Sequence, residues 1–429
     1  MDATTPDSHA QTGPNRSAPV PAEVPYGERI AFVVELAGRL HSYGTTAQRL
    51  EGAVSAVARR LGLRCQPWSN PTGLILSFAE SGTSTPLHDT TQVIRLEPGG
   101  VELGKLCQAD AIAEDVMAGR RDIADGASAL RALDRPGGWK TMALEVLCFG
   151  LSSASVAGLL RNSWADIAAA GMIGLVVGLL YAAGSGRPRL LEAQEALVAF
   201  VATLLTAAIA TFVIPLTTKT VLIAAIIVLM PGMTLTNAVS ELSSQHLVSG
   251  TARFGGALAT LIKLTFGTLA AMQLVRVLGW HPHEAVEHRT RQWVEWAALL
   301  ASTYSFAVLF RARLRDYPLV MAAAAFGYLV TRWTGSRLGN DAGVFFGSMA
   351  VAAASNAYAR WAKRPGALIR VPGIILLVPG SVSFRSLTSV LERDLMVGLN
   401  TAAAVMSVLV ALVAGVLFGN LLISTRRNL

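Results

Sequence analysis

The sequence predicts an all-α polytopic membrane protein: about ten transmembrane helices arranged as two inverted five-helix repeats, with a small N-terminal cytoplasmic α+β domain. Three observations predict it. Charged residues make up only 15% of the 429, and 52% are hydrophobic, whereas a soluble domain carries about 25% charged residues. From Trp139 onward about ten apolar stretches follow one another, each near the ~20 residues a helix needs to cross a bilayer. A segment of the first half also recurs in the second at an offset of 148 residues. This composition excludes a disordered chain, a coiled coil and most soluble enzymes.

Residues 1–25 are rich in Pro, Ser, Thr and Ala without an apolar run, and read as a disordered segment rather than a signal peptide. Residues 26–139 read as the α+β domain. Ile30, Val33, Val34, Ala37 and Leu40 recur at helical spacing, and Leu50, Val54, Val57 and Leu61 continue that face, so an amphipathic helical pair interrupted near Gly44 is expected. TGLILSF at 72–78 and QVIRLEP at 92–98 read as strands, 103–133 as a second helical stretch, and 134–138 as a linker. The ten spans are expected near 141–160, 165–183, 195–216, 219–239, 254–279, 293–311, 317–333, 341–359, 367–387 and 396–423. They divide into repeats at 140–283 and 284–429.

Loop charges set an expected orientation. With the N-domain cytoplasmic, the inner loops hold Arg187, Arg189, Arg311, Arg313, Arg315, Arg360, Lys363 and Arg364, and the tail adds Arg426 and Arg427. The outer loops hold fewer, such as Arg161 and Lys219, although Arg289, Arg291, Arg332 and Arg337 dilute the contrast. The positive-inside rule then puts both termini in the cytoplasm and the chain, multi-pass, in the plasma or inner membrane. The +8 net charge is accounted for by these topology anchors, so nucleic acid is not an expected partner; the lipid bilayer is.

The self-match is the most informative feature. IIVLMPG at 226–232 resembles IILLVPG at 374–380, and the same offset carries Leu247 onto Leu395 and Gly250 onto Gly398. The matched segments are spans four and nine. Five spans per repeat means that the second copy enters from the opposite side, the architecture of alternating-access secondary transporters. Pro–Gly within a span also breaks the helix and frees backbone groups that must find partners in protein or a wet cavity. The breaks, Pro231-Gly232 and Pro379-Gly380, with Thr234, Thr236 and Asn237 after the first and Ser381, Ser383 and Arg385 after the second, form the expected substrate site. Half-helix N-termini there favour a carboxylate.

Ionisable groups inside spans are costly and are read as functional candidates. Glu145, Glu241, Lys263 and Asp341 are the expected proton-coupling set, with Glu145 and Glu241 the preferred carriers; a structural Lys263–Glu145 pair is the alternative. A zwitterionic solute needs one cationic and one anionic partner, a dicarboxylate two cations, and the mixed set permits the first. Other motifs carry less. GGVELGKL at 99–106 lacks the hydroxyl of a phosphate-binding loop, ending in Leu106. In HPHEAVEH, His283 and His288 are five apart, off a common helix face, and His281, His283 and His288 form an interfacial connector rather than a zinc site. Gly174 and Gly178 read as helix-packing positions. Cys65, Cys107 and Cys148 have no metal-ligand spacing and leave an odd one over. No metal and no cofactor is expected.

Several motifs resemble the threonine/serine exporter (ThrE) family. LHSYGTTAQRLEGAVSAVARRLGL at 40–63 is similar to its opening helix motif, with Gly44, Arg49, Glu51 and Leu61-Gly62 in place. PGMTLTNAVSEL with LVSGTAR at 231–253 resembles the central motif, with Glu241 as its acidic residue, and PGIILLVPGSVSFRSL at 372–387 the second-half motif. The resemblance implies a fused form of two membrane halves, a cytoplasmic N-domain, and export of L-threonine and L-serine driven by the membrane gradient, read here as proton antiport without enzymatic activity. Members split into two polypeptides are associated with dicarboxylate (succinate) export, which is the alternative. A membrane-anchored hydrolase using the N-domain is a third reading, against which residues 26–139 hold no G-x-S-x-G elbow and no His partner for Cys107. A passive channel is a fourth, and copies of the chain could associate as a homo-oligomer.

Overall fold

The computed structural model describes residues 24–80, 90–134, 137–184, 186–286, 289–392 and 394–424. Most of the expected disordered segment 1–25 lies outside these residues, as do His288, Arg426 and Arg427.

The N-terminal layer is built from α1 (Tyr26–Ser42), α2 (Ala47–Arg60), β1 (Leu63–Asn70), β2 (Gly73–Glu80), β3 (Thr90–Arg95), α3 (Leu103–Met117) and α4 (Ile123–Ala132). The expected break near Gly44 is there: Gly44 has φ +80°, and a Cβ would sit 2.8 Å from the Gly100 carbonyl oxygen, so only glycine fits this turn. The expected helical stretch 103–133 is two helices instead, divided at Gly119 with φ +70°. The three strands form an antiparallel sheet in the order β1-β2-β3, with Leu63 opposite Glu80 and Gly73 opposite Arg95. Strand β1, LRCQPWSN, was not foreseen, since it has no apolar run; it is an edge strand, where Pro67 costs no ladder hydrogen bond on its free side. Phe32, Leu36, Leu40, Leu50, Leu74, Leu76 and Phe78 fill the core between helices and sheet. That core runs on into Ala307, Val320, Ala367 and Leu368 of the helices below.

The rest of the chain is helical: α5 (Trp139–Leu159), α6 (Trp164–Gly184), α7 (Pro188–Phe212), α8 (Thr218–Ala225), α9 (Gly232–Ser243) and α10 (Leu247–Val277), then α11 (Gln292–Leu309), α12 (Tyr317–Leu338), α13 (Asn340–Ala362), α14 (Ala367–Ile375), α15 (Gly380–Leu391) and α16 (Leu395–Leu422). Helices α5, α6, α7, α10 and α16 are each long and apolar enough to cross a membrane. Two bent pairs, α8–α9 at 55° and α14–α15 at 42°, bring the number to seven if each is one span. The remaining three expected stretches fold as α11, α12 and α13, whose Glu295, Arg332, Arg337, Asp341 and Arg360 dilute their apolar character. Gly174 and Gly178 let α5 and α6 approach closely, since a Cβ on Gly178 would meet Phe149 at 2.8 Å and one on Gly174 would meet Ser153.

Neighbour relations repeat between the two sets. Helix α5 packs on α6, α6 on α7, α7 on α10 and α9 on α10; α11 packs on α12, α12 on α13, α13 on α16 and α15 on α16. Between the sets, α9 meets α16 where α10 meets α15. Helices α5 and α11 run antiparallel. At one end Arg161, just after α5, donates to the Thr290 carbonyl ahead of α11 at 2.6 Å. At the other, Arg311 after α11 donates to Glu145 near the start of α5 at 2.8 Å.

Candidate functional site

The site begins with two breaks of the same shape. Pro231 has φ −80° and ψ 39°, Pro379 has φ −83° and ψ 40°, and each caps a 12-residue helix that opens on glycine. The two openings meet. A Cβ on Gly232 would lie 3.1 Å from the Gly380 Cα and one on Gly380 would lie 3.4 Å from the Gly232 Cα, so the two glycines are in close approach and leave little room for a larger side chain. The positive ends of α9 and α15 therefore converge on one point in the bundle. Pro231, Gly232, Pro379 and Gly380 are buried.

The polar residues after the breaks fare differently. Ser383 is buried and donates to the Pro379 carbonyl at 2.8 Å. Thr236 is buried with no hydrogen-bond partner for its hydroxyl among the described residues. Thr234 and Asn237 are half-buried. Ser381 and the exposed Arg385 line a cavity of about 860 Å³ that opens on the face away from the N-terminal layer. Helices α7, α8, α10 and α15 wall it, with Thr203, Thr206, Thr217 and Thr268 among the lining residues. Five cations reach it, Arg161, Lys219, Arg276, Arg289 and Arg385, against the two carboxylates of Asp166 and Glu392. Of the ten expected substrate residues, Ser381 and Arg385 alone are among its lining.

The expected proton-coupling residues lie apart from one another. Glu241, 1% exposed, accepts from the Ala47 amide at 2.9 Å, the Ser249 hydroxyl at 2.7 Å and the Arg253 guanidinium at 3.0 Å. It thus ties the start of α2 to the α9–α10 elbow. Glu145 pairs with Arg311, which also donates to Glu102 at 2.7 Å. Lys263 lies 3.5 Å from Glu195, so the expected alternative pair with Glu145 is not the one formed; α7, not α5, packs against this face of α10. Asp341 accepts from Ser407.

Three groups were missed by sequence reasoning. Asp166, 1% exposed, accepts from Ser163 at 2.8 Å and from the Thr217 amide at 2.8 Å, clamping the start of α8 to that of α6. The S-x-x-D spacing at 163–166 is a helix-start signal that could have exposed it. Arg370 in α14 and the facing Asn356 and Asn420 form a half-buried polar cluster with no sequence signal except a charge inside a span. The loop 310–313 receives the Leu103 amide at 2.9 Å and the Gly104 amide at 3.0 Å. Those amides belong to the segment that resembled a phosphate loop, and Lys105 pairs with Glu102 at 2.8 Å, so its donors are spent on docking. His283 gives its backbone to Leu216 and Ala210, and no group of three His, Cys, Asp or Glu able to hold a metal occurs among the described residues.

A bundle of long apolar helices with two bent pairs meeting at Pro–Gly breaks defines a polytopic membrane protein. Models of the threonine/serine exporter family match it in two consecutive parts, residues 31–275 and, by the model described as "Threonine/Serine exporter, ThrE", residues 296–422. The chain belongs to that family, in a form with both halves fused. Among curated proteins it is similar to Pheromone-regulated membrane protein 10 of Yarrowia lipolytica, 25% identical over 373 residues, covering 83% of this chain and 30% of the relative. The protein of that name from Eremothecium gossypii is 24% identical over 396 residues, covering 89% and 52%. The one from Saccharomyces cerevisiae strain YJM789 is 25% identical over 382 residues, covering 85% and 48%. The chain thus spans about half or less of the length of these relatives. No solved structure matches it.

Proposed function

We propose that the chain is a secondary active exporter of small hydroxy-amino acids, L-threonine and L-serine, working by proton antiport. Its ten helical units then act as two inverted repeats, α5–α10 and α11–α16, rocking about the junction of the two breaks. The observation that carries this reading is the meeting of Gly232 and Gly380 at the heads of α9 and α15. Matched discontinuous helices at a repeat interface are where secondary transporters bind their solutes. The antiparallel course of α5 and α11, the first helices of the two sets, supports the inversion.

In this reading the solute's carboxylate sits against the two helix heads, with Thr234, Thr236, Asn237, Ser381, Ser383 and Arg385 around it. Glu145, Glu241, Lys263 and Asp341 are the candidate groups for proton coupling. The N-terminal layer, docked through Glu241 and Arg311, lies on the cytoplasmic side and gates access to the junction. Counterflow of labelled L-threonine in proteoliposomes with an imposed pH step tests it. Saturable exchange, driven by the step and competed by L-serine, is expected; exchange indifferent to pH, or none, contradicts it.

A dicarboxylate exporter is the second reading, and one observation favours it: five cations against two carboxylates around the open cavity. Succinate outcompeting L-threonine in the same assay would select it.

A further inference from the structure

Arg370 is one turn into α14, beneath the N-terminal layer. Its Nη2 donates to Asn356 Oδ1 at 3.0 Å and Asn420 Oδ1 at 2.8 Å. The Asn356 amide is itself held by Asn420 Oδ1 at 2.9 Å and the Ile423 carbonyl at 2.7 Å. The guanidinium is thus aimed and fixed, yet its Nε is buried with no partner among the described residues. No carboxylate pairs with it there. A second cation, Arg49 of α2 in the N-terminal layer, lies within range of its charge, so the two repel. The Arg49 side chain makes no hydrogen bond or ion pair among the described residues, and burial brings its guanidinium down to about 10. The nearby acids are engaged elsewhere: Glu241 with Arg253, Ser249 and Ala47, and Glu51 with the Ser69 amide and His246.

Two half-buried guanidiniums within range of each other's charge, with no counter-charge among the described residues, are unfavourable for the fold, and an arrangement of that kind persists where an anion completes it. The planar fork of arginine suits a carboxylate's two oxygens. The repeat adds an independent argument. At the offset of 148, Arg370 corresponds to Leu222 and Asn420 to Met272, both of which line the open cavity on the opposite face. On the N-terminal side the cluster therefore occupies positions whose counterparts line the open cavity.

We propose that Arg49 and Arg370 form a carboxylate-binding site at which the exported solute is loaded from the N-terminal face. The inference rests on the transport reading for the word "exported", while the site itself stands on the two arginines and the asparagine pair. Occupation by a carboxylate cancels the repulsion and draws α2 toward α14; release lets the two part, so the site couples solute loading to the layer that covers it.

The test titrates L-threonine and succinate separately into the full-length chain in nanodiscs, by calorimetry. At least one is expected to bind, with Arg49→Gln and Arg370→Gln each raising Kd tenfold or more and the exposed Arg59→Gln leaving it unchanged. Which solute binds distinguishes an amino acid from a dicarboxylate, and inorganic phosphate in place of either should compete only weakly. Arg49→Lys and Arg370→Lys, which keep charge without the fork, should fall between. Arg49→Gln should also raise the melting temperature of the ligand-free protein, because it removes an unpaired, half-buried charge beside a second cation; a merely structural arginine would lower it. Unchanged Kd in both Gln variants, or no binding of either carboxylate to the wild type, overturns the site. A wild type that binds but carries nothing across vesicles sinks the transport reading and leaves the site standing.

Discussion

The elbow after α9 and the elbow after α15 have the same backbone and different chemistry. Both follow a Pro–Gly break, both close a 12-residue helix, and both lead into a long helix of which the first residue is leucine. In the first, Glu241, Ser249 and Arg253 lock together and hold the N-terminal layer through Ala47. At the offset of 148 the second has Ser389, Val397 and Thr401 in those places, and it borders an open cavity. A scaffold that is symmetric in its breaks is thus asymmetric in its covers: one face is held shut by a buried ion pair, and the other is open.

The comparison breaks most sharply at what the two halves share. Gly232→Val and Gly380→Val insert a side chain where there are 3.1 and 3.4 Å to the opposite glycine. Each is expected to reduce counterflow a hundredfold or more, and near-normal flux in either would remove the junction from the path. Next in size is the lock. Glu241→Ala leaves Arg253 without its partner, a loss of about 3–5 kcal/mol for a buried pair broken from one side. Hydrogen exchange over α2 should then speed up, whereas Ser389→Ala on the other elbow should leave exchange there unchanged.

A smaller effect is expected at the rim of the same interface. Arg311 bridges Glu102 and Glu145 but is half-exposed, so Arg311→Ala should cost roughly 1 kcal/mol or less, read as a few degrees or less in melting temperature. The smallest is a pH effect on the covered side. Burial, together with the charge of Arg253, lowers His41 below 6.5, while its contact with the Asn70 carbonyl opposes this. A histidine held neutral in the fold contributes fully above the unfolded value, and that contribution falls as pH drops below 6.5. The layer should therefore loosen as pH falls below 6.5, and His41→Gln should flatten the slope, with thermal melts at several pH values as the check.

How much of this was legible in the sequence follows from which forces act locally. Apolar stretches and Pro–Gly breaks are local, so the ten expected stretches fold as helices, of which five, or seven with the bent pairs, are long and apolar enough to cross a membrane, and the bend at each break was readable from Pro231 and Pro379. The shared offset also predicted that the two breaks would be counterparts. What could not be read was partnership at long range. Lys263 finds Glu195 and not Glu145, and Glu241 turns toward the N-terminal layer, because both depend on which helices become neighbours. Arg49 and Arg370 are 321 positions apart and carry no common motif. Strand β1 escaped because its more buried side, Leu63, Cys65, Pro67 and Ser69, is only weakly apolar, while the largest apolar residue, Trp68, faces solvent. Helices α11 to α13 carry charged residues, such as Glu295, and what offsets that charge is again long-range: Tyr328 of α12 donates to Glu295 of α11 at 2.9 Å.

In the proposed cycle the two faces open in alternation about one junction, a motion that spin labels across the open cavity would report. Lys219→Cys at the start of α8 and Ser389→Cys near the end of α15 both line that cavity. Native thiols compete little, since burial pushes Cys65 up to about 12 and Cys107 to about 11, leaving scarcely any thiolate. Pulsed distance measurements in nanodiscs should give two populations, the shorter growing as L-threonine is added at a fixed pH. A single distance, unmoved by L-threonine, L-serine, succinate or pH, would contradict the account.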